Sequence, residues 1–246
     1  MQTGLVSVTF RELPISEIIR LAREAGLDGI EWGSDYHCKP GDTVRAKEIA
    51  GLMKENNLSV ISYGSYYKSG DETDFSSTIN NALIFGTNNI RIWAGDKSSA
   101  DVSEDEWRKM VADTQRVADI AREHNIDISF EYHNNTLTDS ISSTIKLLDE
   151  INRDNVYSYW QALVDSEPEN NVREIQKLVD HRKLKNLHVQ ATGKNGRVAL
   201  TDMQDIWKSY ISAASPANPA LLIEFVKDDS IEQFLDDAKI LIDLKG

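Results

Sequence analysis

One junction recurs along this chain, and it limits the fold more than any other feature. In Arg23-Glu24-Ala25-Gly26-Leu27-Asp28-Gly29-Ile30, in Lys54-Glu55-Asn56-Asn57-Leu58-Ser59-Val60-Ile61 and in Arg122-Glu123-His124-Asn125-Ile126-Asp127-Ile128, a helix ends on Gly or Asn and the chain enters a strand at once. Gly and Asn tolerate the left-handed backbone that closes a helix, so each junction reads as helix, cap, strand. The first helix opens at Pro14 and carries Ile15, Ile18, Ile19, Ala22 and Ala25 at helical spacing. Further helices are expected over 43–56, 75–85, 103–124, 140–151, 171–182, 202–213 and 231–244. Strands are expected over 5–10, 29–33, 58–63, 89–94, 126–133, 156–163, 184–191 and 220–226. Eight βα units at roughly 30-residue spacing predict a single (β/α)₈ TIM barrel over residues 1–246. A doubly wound sheet is the competitor, but it calls for fewer units or a longer chain. No Pro/Gly/Ser-rich linker or charge block divides the sequence.

Composition excludes several classes. The 40 acidic residues against 27 basic ones give a formal charge of −13, which argues against a nucleic-acid binder. Cys38 is the single cysteine, so no internal disulfide or cysteine zinc site can form. The start Met1-Gln2-Thr3-Gly4 lacks the pattern of a signal peptide, and no apolar run approaches the ~18 residues of a membrane span. A cytoplasmic protein is expected. Whether its copies form a homo-oligomer is left open.

The fifth strand carries the sharpest chemical signal. Ile126, Ile128 and Phe130 share one face; Asp127, Ser129, Glu131 and His133 share the other. A strand between two helices is covered on its outer side, so the polar row points into the barrel and toward its C-terminal mouth, where ligands bind. The same parity turns Glu31 on the second strand and Arg91 and Trp93 on the fourth inward. It does so for Tyr157, Tyr159 and Gln161 on the sixth, and for Asn186, His188 and Gln190 on the seventh. In the apolar eighth strand, Leu221-Leu222-Ile223-Glu224-Phe225, Glu224 is the one charge, and it is costly there unless paired, ligated or at the mouth. Glu131 and Glu224 therefore converge, with amides and imidazoles between them. That arrangement can hold a divalent cation, or place two carboxylates for proton removal and return at a sugar carbon.

Structural readings stand beside these. Glu224 could be a salt-bridged mouth residue, His188 a satisfied interior histidine, His133 a partner of the Asn-rich turn after it, and Arg91 a partner of Glu31 or Glu131. Gln161 and Gln190 could simply fill the barrel with hydrogen bonds, and Trp32, Trp93 and Trp160 could be packing residues. The segment Thr192-Gly193-Lys194-Asn195-Gly196-Arg197-Val198 has no nucleotide-binding spacing. It reads as a mobile loop or as a substrate lid using Lys194 or Arg197.

Phe130-Glu131-Tyr132-His133, Leu187-His188-Val189-Gln190, Leu222-Ile223-Glu224-Phe225 and the run from Ala22 to Glu31 resemble the xylose isomerase-like barrel superfamily over nearly the whole chain. The family holds sugar isomerases and epimerases, inosose dehydratases and endonuclease IV-type enzymes. The resemblance implies a divalent metal (Mn, Mg, Co or Zn) on Glu131, Gln161, Gln190 and Glu224, with Gln161 in place of an Asp and Gln190 in place of a His. It also implies that the two glutamates transfer protons. His188 matches a histidine that the family places beside the substrate. Two amides carry less negative charge than the usual ligands and hold a cation more weakly. The endonuclease branch's further metal ligands are not evident.

These observations lead to a sugar or polyol isomerase or epimerase working by proton transfer beside a carbonyl. Glu131 and Glu224 would be catalytic, and His188, His133, Arg91, Trp93, Glu31 and Lys194 would contact substrate. The competitors are a metal-free sugar- or polyol-binding barrel without turnover, which the two glutamines favour, and a keto-polyol dehydratase.

Overall fold

In the computed structural model, which describes residues 1–163 and 166–246, strands and helices alternate around a closed parallel barrel. The strands are β1 (Thr3–Val6), β2 (Gly29–Gly33), β3 (Ser59–Lys68), β4 (Asn89–Trp93), β5 (Asp127–Phe130), β6 (Val156–Trp160), β7 (Leu184–Val189) and, after a two-stranded ribbon of β8 (Thr192–Gly193) and β9 (Gly196–Arg197), β10 (Ala220–Ile223). The helices are α1 (Ile15–Glu24), α2 (Thr43–Glu55), α3 (Ser76–Phe85), α4 (Glu104–Arg122), α5 (Ile141–Ile151), α6 (Pro168–Asp180), α7 (Gln204–Ala214) and α8 (Ile231–Lys245). Strand order follows the chain, and β1 pairs with β10 to close the ring. No described helix is long and apolar enough to cross a membrane.

Local chemistry explains the elements. Asn125 and Asn57 adopt the left-handed backbone at the junctions, as does Gly26, so each helix stops and its strand follows without a loop. Ser103 caps α4 and exchanges hydrogen bonds with Glu106 as a capping box. At Gly29, a Cβ would lie 2.2 Å from the Ser59 carbonyl oxygen, so this position brings β2 and β3 together only as glycine.

Several expectations are corrected: the third strand runs on to Lys68, and the strands expected over 126–133, 156–163 and 220–226 end at Phe130, Trp160 and Ile223. The first strand ends at Val6, and Ser7–Phe10 turns as a 3-10 helix. Hydroxyls explain the break: Ser7 Oγ accepts from the Gly33 amide at 2.8 Å and Thr9 Oγ1 from the Phe225 amide at 3.0 Å, drawing the segment out of a regular ladder. The stretch read as a loop over 192–198 is largely the β8–β9 ribbon.

Outward apolar residues such as Ile30, Ile90, Ile92, Ile128, Phe130, Leu187 and Leu221 form the main core with the helices. Trp160 belongs to that core, packed edge-on against Trp207 and Tyr210, and Trp32 is fully buried. Inside the ring, Val6, Tyr159, Ala220 and Leu222 fill the lower barrel, and the same cluster reaches the mouth through Val8. The mouth above it holds polar side chains.

The chain ends are tied through Asp28, whose Oδ2 accepts from the Thr3 amide at 2.7 Å and from Lys245 Nζ at 3.2 Å. Burial works to raise its pKa, but these bonds outweigh it and the net shift is downward. A lowered carboxylate stabilises the fold above its unfolded value, about 3.9, and that contribution is lost as pH falls through the folded value. Asp28→Asn should therefore cost about 0.5–1 kcal/mol at pH 7 in urea melts, with wild type and variant converging as pH falls through the folded Asp28 value. A difference that stays constant across that value would contradict this assignment.

Candidate active site

The lowest polar layer of the mouth is built on Glu31, which is fully buried. Its Oε1 accepts from Arg91 Nε at 2.8 Å, and its Oε2 accepts from Ser62 Oγ at 2.6 Å and Tyr159 Oη at 2.8 Å. Tyr159 in turn accepts from Asn89 Nδ2 at 2.7 Å, and Ser129 donates to Asn89 Oδ1 at 2.7 Å. Burial would raise the Glu31 pKa, but Arg91, His188 and Ser62 overcome it, so Glu31 lies far below the usual carboxylate range. Gly64 on β3 leaves the necessary room: a Cβ there would come 2.7 Å from Arg91 Nη2 and 3.0 Å from Glu31 Oε1.

From this layer Arg91 reaches upward. Its Nη1 donates to Glu131 Oε2, so one guanidinium ties β2, β4 and the end of β5. The Glu131 backbone is fixed as well, its amide donating to the Ile92 carbonyl at 3.0 Å and its carbonyl accepting from Thr138 Oγ1.

Across the mouth, His188 Nδ1 lies 3.0 Å from Gln161 Oε1 and 3.2 Å from Glu224 Oε2, while Nε2 lies 3.5 Å from Glu31 Oε1, too loose for a good hydrogen bond. Burial would lower the His188 pKa, but Glu224 and Glu31 reverse this and push it up to about 9. The ring is therefore protonated at neutral pH. Glu224 is lowered in turn, its burial offset by His188 and Arg91. Gln190 Nε2 donates to Glu224 Oε2 and, at 3.3 Å, to Gln161 Oε1.

Above these groups opens a pocket of about 310 Å³ bordered by Arg91 of β4 and by Glu131, Gln161, Gln190 and Glu224, each directly after its strand. Its wall is aromatic: Trp93 is stacked with Tyr66 at 6.1 Å and tilted against His133 at 4.8 Å, and Phe225 borders the same space. His133 also holds the turn after it, Nδ1 lying 2.7 Å from the Asn134 carbonyl. Glu31 and His188 are fully buried and form the floor. Lys194 is exposed at the tip of the β8–β9 ribbon, outside the pocket lining. A larger hollow of about 760 Å³ at the opposite end of the barrel lacks any comparable pair of carboxylates.

One ligand atom each from Glu131, His188 and Glu224 lies within 4.8 Å of the others, so this buried group could hold a metal ion. The donor set of two carboxylates and an imidazole fits a divalent cation, which would have to displace the His188 proton and the Gln190 N–H from Glu224. The imidazole in this cluster is His188, two residues before Gln190.

Sequence reasoning passed over Arg11, Tyr66 and Phe225, which all border the pocket. Tyr66 lies on a strand that extends past the expected end, and Arg11 directly follows the 3-10 turn. Position after the first strand is the one sequence signal that marks Arg11.

The family profile described as xylose isomerase-like TIM barrel matches residues 19–197. A 3-dehydroshikimate dehydratase from Bacillus anthracis is 29% identical over 206 residues, covering 76% of this chain and 72% of the relative. Among solved structures, the probable 3-DHS dehydratase AsbF, also from Bacillus anthracis, superposes with a TM-score of 0.82 at 22% identity, covering 98% of this chain and 99% of that one. A D-allulose 3-epimerase from Methylomonas sp. superposes with a TM-score of 0.74 at 16% identity, covering 100% and 98%.

Removing one partner of a buried ion pair leaves the other charge uncompensated. Arg91→Leu should lower stability by about 3–5 kcal/mol in denaturant melts, and adding Glu31→Gln to it should restore a large part. Strictly additive losses in this double-mutant cycle would show that the pair is not coupled.

Proposed function

The chain belongs to the xylose isomerase-like TIM barrel family, and from this premise we propose that it is an enzyme that removes a proton from a carbon beside a carbonyl of a small sugar or keto-polyol. The observation carrying this reading is the pair Glu131 and Glu224: two buried carboxylates from different strands, bordering one small pocket, each held by its own cationic partner.

Those partners divide the roles. An arginine does not surrender its proton, so Glu131 beside Arg91 stays a carboxylate and serves as the base. Glu224 faces a protonated His188, so that pair has a proton to give. In a dehydration, Glu131 takes the proton from carbon and the electron pair enters the enolate. The enolate then forms a carbon–carbon double bond and expels the neighbouring hydroxyl, which leaves as water with the proton that His188 supplies through Glu224. A divalent cation held by Glu131, His188 and Glu224 would bind in place of the His188 proton and would itself supply the positive charge that stabilises the enolate oxygen. Gln161 and Gln190 orient the imidazole and the Glu224 carboxylate.

Dehydration is our first reading. It is supported by the relative matched over three quarters of the chain and by the wall of Tyr66, Trp93 and His133, which suits a ring that flattens as a double bond forms. The second reading, epimerisation, shares the first step and has the His188–Glu224 pair return the proton to the other face. The placement of the two carboxylates directly after β5 and β10, on either side of the pocket, favours it.

Two substrates separate these readings. With 3-dehydroshikimate, dehydration should give a conjugated product seen by ultraviolet absorbance. With D-allulose in D₂O, epimerisation should give deuterium exchange seen by NMR. Glu131→Gln and Glu224→Gln should each lower turnover at least about 100-fold while the circular dichroism spectrum is retained; full activity in either would sink the role. Mn²⁺, Mg²⁺, Co²⁺ or Zn²⁺ should raise the melting temperature of wild type and leave Glu131→Ala unchanged, because an ion bound only by the native state stabilises it.

A further inference from the structure

Two arginines border the pocket, and their surroundings differ. Arg91 is committed to Glu31 and Glu131. Arg11 makes one ion contact, Nε to Asp35 Oδ2 at 3.3 Å, and its two terminal nitrogens donate no well-formed hydrogen bond to any described residue. Flat rings hold it instead: its guanidinium lies 5.6 Å from the Phe225 ring centre and 5.7 Å from that of Tyr36. A planar guanidinium fork held by rings, with only Asp35 and the Tyr66 hydroxyl as polar partners among the described residues, keeps donor capacity to grip a two-oxygen anion.

The neighbourhood supports the same ligand. Arg11, Val8 and Phe225 border both the 310 Å³ pocket and an adjoining hollow of about 410 Å³, where Arg197 also lies over the Phe225 ring at 4.5 Å. Arg197 is engaged through a terminal nitrogen by Asp229 and the Val226 carbonyl, whereas Asp35 meets Arg11 at Nε. Phe225 follows Glu224 directly and has a φ of +57°, a conformation that costs energy for a bulky residue and persists where the surroundings enforce it. Its amide is held by Thr9 Oγ1 at 3.0 Å. The strained turn thus sets a ring between the Glu224 carboxylate and the Arg11 guanidinium in the sequence of groups around the mouth.

We propose that Arg11 is the specificity-determining residue of this pocket and binds a carboxylate of the substrate, so that the chain acts on an acidic, ring-sized keto-polyol in preference to a neutral sugar. This rests on the proton-transfer reading above and adds the substrate's charge to it.

Calorimetric titration with 3,4-dihydroxybenzoate and its neutral carboxamide tests the assignment, since the two share a ring and adjacent oxygens and differ in the anion. Wild type should bind the benzoate about 10- to 100-fold more tightly than the amide. Arg11→Gln should abolish that preference while leaving amide affinity unchanged, and Arg11→Lys, which keeps the charge and loses the fork, should retain part of it. Equal binding of both probes by wild type, no binding of the benzoate, or a preference that survives in Arg11→Gln would overturn the proposal. Equal weakening of both probes in Arg11→Gln and Arg11→Lys would do so as well, because it would assign Arg11 a purely structural role. A wild-type enzyme that turns over neutral ketoses without any carboxylate preference would remove the anion site and leave the proton-transfer reading intact. Undiminished turnover in the glutamate variants would do the reverse.

Discussion

Everything at the mouth of this barrel depends on the Arg91–Glu31 ion pair. Both groups are out of contact with water, and the interior recovers their desolvation cost only through complete hydrogen bonding. Ser62 and Tyr159 satisfy the second Glu31 oxygen, and Asn89 and Ser129 extend the chain of bonds downward. Gly64 provides the space that any larger residue would take. Because the same guanidinium holds Glu131, the position of a candidate catalytic carboxylate is inherited from a structural pair one layer below it.

Charge balance in this cluster accounts for the character of the site. Three carboxylates, Glu31, Glu131 and Glu224, face Arg91 and a protonated His188, which leaves one negative charge uncompensated. Gln190 spreads part of it by donating to Glu224. A cation entering here adds two charges but releases the His188 proton, so its binding exchanges one ion for another and strengthens as pH rises. The neutral Gln161 keeps the electrostatic gain modest.

Much of this was legible in the sequence because strands have a period of two. Once Glu131 is assigned inward on the fifth strand, the same parity turns Arg91, Tyr159, His188 and Glu224 inward too, and the structure brings these together. The closed barrel follows from the repeated capped junctions, whose Gly and Asn residues carry their conformational preference openly. Other residues carry no such signal. Arg11 and Phe225 sit on turns shaped by single hydrogen bonds from distant segments, Ser7 to Gly33 and Thr9 to Phe225, which no local period encodes. The ribbon over 192–197 misled for a related reason: glycines permit both a loose loop and a tight hairpin, and pairing across the turn decides between them. His188 and Gln190 share a parity, and both reach Glu224: His188 Nδ1 lies 3.2 Å from Oε2, and Gln190 Nε2 donates to the same oxygen.

The bonds among Glu31, Ser62, Arg91, Glu131, Tyr159, His188 and Glu224 cross from one half of the ring to the other. Such a network has no favourable partial form. A half-barrel ending before β6 would enclose Glu31 and Arg91 without Tyr159 or His188, and water would have to stay where the missing partners belong. The polar network at the mouth is therefore complete only when the ring is closed. A chain with β7 or β10 out of register would meet unpaired interior charge before it met any loss of apolar contact.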